Sequence, residues 1–246
     1  MVTARVKSTH DGGPAQARLL VETPPVGSCH VNDTMRNRLR SIPVLADVRV
    51  AVLSESELPS NPLPLIADWV LAAHAAGQPE PHAMSLCTVG PSGVPSSRVL
   101  IVKDIDDDHL YFATPSDSRK GREIGANAHV SAHFYWSAVG RQVRIVGTAV
   151  ALGRDVSEAD FAERGRASRL AAHLHRPGSP ADRNAVLAEF ERLDAAYPEG
   201  VPCPPSWTLY AISPTQVEFW AASVDRAHHR IMYRRDTAWR HELLWP

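Results

Sequence analysis

The chain has 246 residues, 44% of them hydrophobic and 22% charged, with a formal net charge of −1. That is long enough for one substantial core, and a balance this even creates no bulk field for nucleic acid or an anionic membrane, so any anion site must be local. The three cysteines, Cys29, Cys87 and Cys203, are too few and too scattered for a disulfide framework or zinc ribbon, no apolar run approaches the ~20 residues of a membrane span, and no signal-peptide core opens the chain; a cytoplasmic protein is expected.

Residues 1–45 show little periodicity and read as a disordered leader, with some order near Met35-Arg-Asn-Arg-Leu-Arg; Met35 is itself a candidate start. Residues 46–246 read as one domain. Asn61-Pro62 is an N-cap followed by proline at the first helical position, and Leu65, Ile66, Trp69, Val70 and Ala73 then recur at helical spacing until Gly77. A strand over Ala83–Val89 turns through Pro91-Ser-Gly93 into Ser96–Lys103, whose nearly continuous apolar residues predict cover on both faces. Leu110–Thr114 pairs back across the Asp106–Asp108 turn, and Ser118–Ala126 is a short helix whose first amides face outward for an anion.

Strands follow over His129–Trp136 and Gln142–Leu152. A helix capped by Ser157 runs to about Arg164, a loop spans His173–Ser179, and a second helix over 183–196 carries the stripe Val186, Leu187, Phe190 and Leu193. Four more strands close the chain, over Thr208–Ile212, Val217–Trp220, Ile231–Arg234 and Trp239–Leu244. Many short antiparallel strands with a few helices predict a mainly β protein, a barrel with helical additions. A doubly wound nucleotide fold is disfavoured, because neither G-x-G-x-x-G nor a Walker lysine is present.

The chemistry concentrates between Pro95 and Gly147. Arg98 and Lys103, the pair Arg119–Lys120, and Arg141 with Gln142 all flank strands. So many fixed cations beside a core imply a bound anion, and the ligand expected is a flavin held by its phosphate. No metal is expected. His129 and His133 lie ~13 Å apart along a strand, and His173 with His175 lacks a third ligand. Trp69, Trp136, Trp207 and Trp239 read as packing residues and Cys87 as inert core.

With these residues in view the chain resembles the pyridoxamine (pyridoxine) 5'-phosphate oxidase family. The resemblance runs from about Pro62 to Pro246 and rests on an ordered set of motifs: EPHAM at 80–84, SSRVLIVK at 96–103, SRKGRE at 118–123, FYW at 134–136, GRQVRI at 140–145, VEFW at 217–220 and R-x-H-x-R at 226–230. It implies an FMN-binding split β-barrel and a homodimer whose active sites draw on both subunits. It assigns FMN contacts to Arg98, Val99, Lys103, Arg119, Lys120, Gln142, Trp220 and Arg230. Substrate phosphate falls to Lys103, Arg164 and Ser168, and the substrate ring to Arg226 and His228, the pair expected to be catalytic. The implied reaction oxidises pyridoxamine or pyridoxine 5'-phosphate to pyridoxal 5'-phosphate with dioxygen as acceptor.

Three departures stand out. Asp160 replaces the family's tyrosine four residues before Arg164, Pro177-Gly178 replaces a glutamine–serine pair, and His229 replaces the aspartate of R-x-H-D-R. Two alternatives therefore stay open. One is a flavin oxidase of the same fold acting on another small molecule, such as the phenazine-forming branch, which departs from the R-V-L-x-x-K and GRQVRI patterns kept here. The other is a flavin- or pyridoxal-phosphate-binding protein without turnover, against which the retained Arg226 and His228 argue.

Overall fold

The computed structural model describes residues 34–45, 55–174, 176 and 179–246. Two compact units emerge, residues 1–44 and residues 45–246. In the first, helix α1 (Met35–Arg40) starts where Thr34 accepts a hydrogen bond from the Asn37 amide. Residues 1–33 of the expected leader lie outside the described residues, as do His175 and Pro177-Gly178.

The second unit is a barrel with helical additions. Its strands are β1 (Ala83–Val89), β2 (Pro95–Ile105), β3 (Leu110–Pro115), β4 (His129–Trp136), β5 (Arg141–Ala151), β6 (Trp207–Ala221), β7 (His229–Arg235) and β8 (Trp239–Leu244). All pair antiparallel in the order β3-β2-β1-β4-β5-β6-β7-β8, and β3 also pairs with β6. That last pairing closes six strands into a barrel and leaves β7 and β8 as an extension of the same sheet. The split-barrel expectation is met.

The two strands expected after residue 207 are one. β6 is 15 residues long; its first half pairs with β3, its second with β7, and β5 lies along most of its length. Pro214 makes the stretch look interrupted, because proline has no amide to give a ladder. The ladder accommodates it with a register shift between Val146 and Gly147. There the backbones crowd so closely that a Cβ on Gly147 would lie 2.3 Å from the Ser213 carbonyl oxygen.

Core residues follow the period-two alternation: Leu86, Phe112, Phe134, Ile145, Phe219 and Tyr233 are all buried. Helix α2 (Pro62–Ala75), with Asn61 accepting from the Leu63 amide at 3.1 Å, lays Trp69 on this core. The Trp69 ring meets Phe219 edge-on at 5.0 Å and Trp136 at 6.4 Å. Arg141, expected among the anion-facing cations, instead places its guanidinium 4.5 Å from the Trp69 ring. Burial there pushes it below the ordinary arginine range.

Strand β2 departs from its expectation as well. Its residues alternate, Val102 is its one buried residue, and Val99 is 67% exposed, so one face has no cover among the described residues. Cys87 is only partly buried.

Helix α3 (Arg119–Ala126) packs on β1. Helices α4 (Arg154–Glu163), α5 (Arg166–His173) and α6 (Arg183–Ala196) build a smaller core of Phe161, Leu170, Leu193, Val201 and Trp207. Ser157 is no cap: α4 starts after Gly153, and the buried Ser157 hydroxyl donates to the Gly153 carbonyl while accepting from the Leu209 amide at 3.0 Å. It thus ties α4 to β6. Helix α5 has no side-chain cap and buries only Leu170 and Ala172, so it left no periodic trace, and His173 ends it where a loop was expected. In α6 Leu193 is buried, whereas Val186 and Leu187 are exposed. No described helix is long and apolar enough to cross a membrane.

Replacing Gly147 by alanine forces a methyl group against backbone that cannot rotate away. The expected loss is about 1–3 kcal/mol of unfolding free energy in urea titrations. Gly200→Ala, with nothing within 4 Å of the added Cβ, should leave the midpoint unchanged.

Candidate active site

The sequence-predicted residues fall into three groups within one chain. The first lies where α3 meets β1 and β2. Arg98 stands opposite Leu86, and residues directly opposite share a face, so its side chain is on the core side of the sheet. Its Nη1 donates to the Leu86 carbonyl (3.1 Å) and Thr88 Oγ1 (2.7 Å), and its Nη2 to Ser96 Oγ (2.6 Å).

Behind it lies Glu123, a buried carboxylate absent from the expected site. Glu123 accepts from Thr88 Oγ1 (2.5 Å), Ser96 Oγ (2.6 Å) and Arg119 Nε (2.8 Å), and pairs with Arg98 at 3.5 Å. The hydroxyls of Ser96 and Thr88, more than the arginines, hold its pKa down to about 2. The signal for it was present in SRKGRE, since Glu123 stands four residues after Arg119 on one helix face.

Lys120 is the cation of this group with no carboxylate partner among the described residues. Its ammonium donates to Thr114 Oγ1 (2.9 Å) and Ser118 Oγ (3.3 Å), which leaves one N–H for a ligand. Burial, then the charge on Arg98, pushes it below the ordinary lysine range. A half-buried ammonium beside a guanidinium is the electrostatic setting of an anion site. The first turn of α3 adds amides: Ser118 caps it by accepting from Gly121, and Gly121 sits so near the preceding turn that a Cβ would meet the Ser116 carbonyl oxygen at 2.3 Å.

The second group lies on the outer face of the sheet. Gln142 stands opposite Trp220, and Trp220 opposite Arg230, so three of the assigned residues form one row across β5, β6 and β7. Their neighbours Val143 and Phe219 are in the core, so the row points outward. Gln142 meets His133 Nε2 at 3.3 Å. Arg230 is held by Glu218, another buried carboxylate, at 2.9 and 2.8 Å, and Glu218 also pairs with Arg144.

The loop after β6 brings His228 to this row, its ring centroid 4.8 Å from that of Trp220. His228 Nδ1 accepts from the Ser223 amide at 3.1 Å, so the neutral ring carries its proton on Nε2. Arg226 is exposed and adopts φ of +67°, a left-handed conformation rare for arginine, pinned by its amide bonding to the Ser223 carbonyl.

The third group joins β2 to the small helical core. Lys103 sits at a bulge, between Val102 opposite Phe112 and Asp104 opposite Tyr111. Bulges re-aim side chains, and Lys103 Nζ comes within 3.9 Å of Asp160 Oδ1. Asp160 Oδ2 accepts from Trp207 Nε1 at 3.0 Å. Arg164 lies over the same indole, 4.0 Å from its centroid, and its Nη1 is buried without a hydrogen-bond partner. Burial lowers the Arg164 pKa and Asp160 partly restores it. Ser168 is exposed on α5, and Val99 is exposed on β2 beside Arg98.

Residues 70–197 match the family model described as pyridoxamine 5'-phosphate oxidase, and residues 207–246 the pyridoxine 5'-phosphate oxidase C-terminal dimerisation region. The chain belongs to the pyridoxamine 5'-phosphate oxidase family. A pyridoxine/pyridoxamine 5'-phosphate oxidase of Herminiimonas arsenicoxydans is 38% identical over 209 residues, 82% of this chain and 99% of that protein. One from Burkholderia vietnamiensis is 38% identical over 79% of this chain and 93% of its own length. Among solved structures, PhzG of Burkholderia lata 383, in complex with tetrahydrophenazine-1-carboxylic acid, superposes with a TM-score of 0.76 at 35% identity over 80% of this chain and 99% of its own. An FMN-binding, pyridoxamine 5'-phosphate oxidase-related protein of Nostoc punctiforme shares the fold, with a TM-score of 0.63 at 22% identity over 74% of this chain and 96% of its own. The donors around Lys120 have the chemistry to hold a phosphate group.

Glu123 makes the first group acid-sensitive. Its pKa is depressed on folding, so its stabilisation is complete above the unfolded glutamate value of about 4.3 and is lost as pH falls towards about 2. Thermal melts should show wild-type stability falling steeply over that window, with Glu123→Gln less stable at neutral pH and flatter below it. Parallel curves for the two proteins would contradict the assignment.

Proposed function

We propose that this protein is an FMN-dependent oxidase that converts pyridoxamine or pyridoxine 5'-phosphate to pyridoxal 5'-phosphate, using dioxygen and releasing hydrogen peroxide. The observation that carries the reading is Lys120: half-buried, next to Arg98 and, among the described residues, bonded only to hydroxyls. Lys120, Arg119 and the first amides of α3 hold the FMN phosphate, with Arg98 fixed behind them by Glu123. FMN, when bound, supplies the hydride acceptor and the reaction with oxygen.

The row Gln142, Trp220 and Arg230 serves the same cofactor from a second subunit. Trp207 and Trp220 sit at opposite ends of β6, up to roughly 40 Å apart at the rise of an extended strand. The third group at Trp207 and the second at Trp220 are therefore assigned to one site formed where two copies combine. The match to a C-terminal dimerisation region and the uncovered face of β2 support a homodimer with shared sites. In that site Lys103, Arg164 and Ser168 take the substrate phosphate, and Arg226 and His228 its ring. Because His228 Nδ1 is occupied by the Ser223 amide, His228 offers the substrate a donor at Nε2–H. It orients and polarises the ring rather than removing a proton from it.

A second reading is favoured by the structural likeness to PhzG and by Asp160 beside Lys103: an oxidase of the same fold acting on another small ring acid. Anaerobic bleaching of the flavin separates the two. Rapid bleaching with pyridoxine 5'-phosphate, followed by recovery of the yellow form in air, supports the vitamin reaction; bleaching only with a carboxylated ring supports the second.

Arg119→Ala combined with Lys120→Ala should weaken FMN binding by about two orders of magnitude, since each charge-assisted hydrogen bond contributes about 1.5–3 kcal/mol. Flavin absorbance after purification reads this directly, and an unchanged occupancy would place the phosphate elsewhere. Arg226→Ala should keep its flavin and lose turnover at least tenfold, which steady-state peroxide release will measure.

A further inference from the structure

We propose that Asp160 is a specificity-determining residue that tunes the substrate's anion site to a singly charged end group. This deepens the reading given above and rests on its assignment of Lys103 and Arg164 to the substrate anion. Lys103 and Arg164 alone would present two positive charges. Asp160 lies 3.9 Å from Lys103 Nζ and four residues before Arg164, so the trio carries a net charge of about one.

The carboxylate is held where it is. Trp207 Nε1 donates to Oδ2 at 3.0 Å, leaving Oδ1 towards Lys103. An i, i+4 pair with Arg164, the partner its spacing along the chain offers, is not what forms: Arg164 stacks on the far partner of the same bond, the Trp207 ring, and keeps a buried Nη1 unbonded. That orphan nitrogen and the Lys103 ammonium are the donors a ligand oxygen would satisfy.

Besides Lys103 and Arg164, the described groups coupled to this cluster add no unpaired cation. The segment before β6 brings Cys203, a thiol whose pKa is raised by burial and which bonds to the Pro204 carbonyl. The nearby Arg154 is paired with Glu158 at 2.7 Å. A phosphate ester carrying two charges is therefore repelled by Asp160 more than the same ester carrying one. Repulsion between unit charges about 5 Å apart in a solvated site corresponds to roughly a tenfold change in affinity.

The test uses the intact flavoprotein and pyridoxine 5'-phosphate on either side of the phosphate's second ionisation, near about pH 6. Wild-type KM is measured at about pH 5.5 and about pH 7.5, and again in Asp160→Asn, which keeps an acceptor for Trp207. Expected is a KM lowered in Asp160→Asn at both pH values, by a factor roughly tenfold larger at the higher pH than at the lower, with flavin content unaltered. A purely structural role would move KM by the same factor at both. An equal shift, or none, overturns the inference while leaving the vitamin reaction standing. A wild-type enzyme inert to the ester at both pH values overturns that reading and this inference with it.

Discussion

The architecture depends on β6. A single 15-residue strand gives its first half to β3, closing the barrel, and its second half to β7, continuing the sheet beyond it. Both partners share the edge of β6 opposite β5, and the irregularity at Gly147 opposite Pro214 lies where one gives way to the other. Each end of β6 then presents an indole to a different group: Trp207 to Asp160 and Arg164, Trp220 to Gln142, Arg230 and His228. One strand thus serves as frame for the barrel and as a ruler between two parts of the site.

Buried carboxylates set up the cations. Glu123 and Glu218 are each nearly inaccessible, and each holds two arginines. Such a carboxylate costs a large desolvation penalty unless it is fully hydrogen-bonded. Glu123 meets that condition with two hydroxyls as well as its arginines, and in return the guanidiniums lose their rotational freedom before any ligand arrives. Preorganised donors bind an anion without the entropic cost of ordering long side chains at the moment of binding. Lys120 is treated differently: hydroxyls orient it, and no carboxylate among the described residues quenches it.

The fold was legible wherever local rules and tertiary pairing agreed. Asn61-Pro62 starts α2, Ser118 caps α3, and the alternation of β1, β3 and β4 comes through in the burial of Leu86, Phe112 and Phe134. It was not legible where a long-range partner overrode the local pattern. Pro214 reads as a break because its partner across the ladder is 67 residues away, and Ser157 reads as a cap because its partner, the Leu209 amide, is 52 residues distant. The site divides the same way. Motif residues such as Arg98 and Arg230 were identified as cations, but the acids that position them have no spacing signal, apart from Glu123 at i+4 from Arg119. Arg141 was read as a ligand-facing cation because nothing in its neighbours announces Trp69 beneath it.

Three groups of cations sit on a chain of net charge −1. Each cation is local and each is matched differently. Arg98 and Arg119 share a carboxylate that also takes two hydroxyls. Arg230 shares one with Arg144. Lys103 faces one that an indole holds in place. Pairing an arginine with a buried acid fixes its position while leaving its outer N–H groups directional; pairing a lysine, a point charge, mainly subtracts from the local potential. The first two arrangements therefore build geometry, and the third sets charge. That difference is why Asp160, alone among the site's carboxylates, acts on which ligand is accepted rather than on how firmly the frame is held.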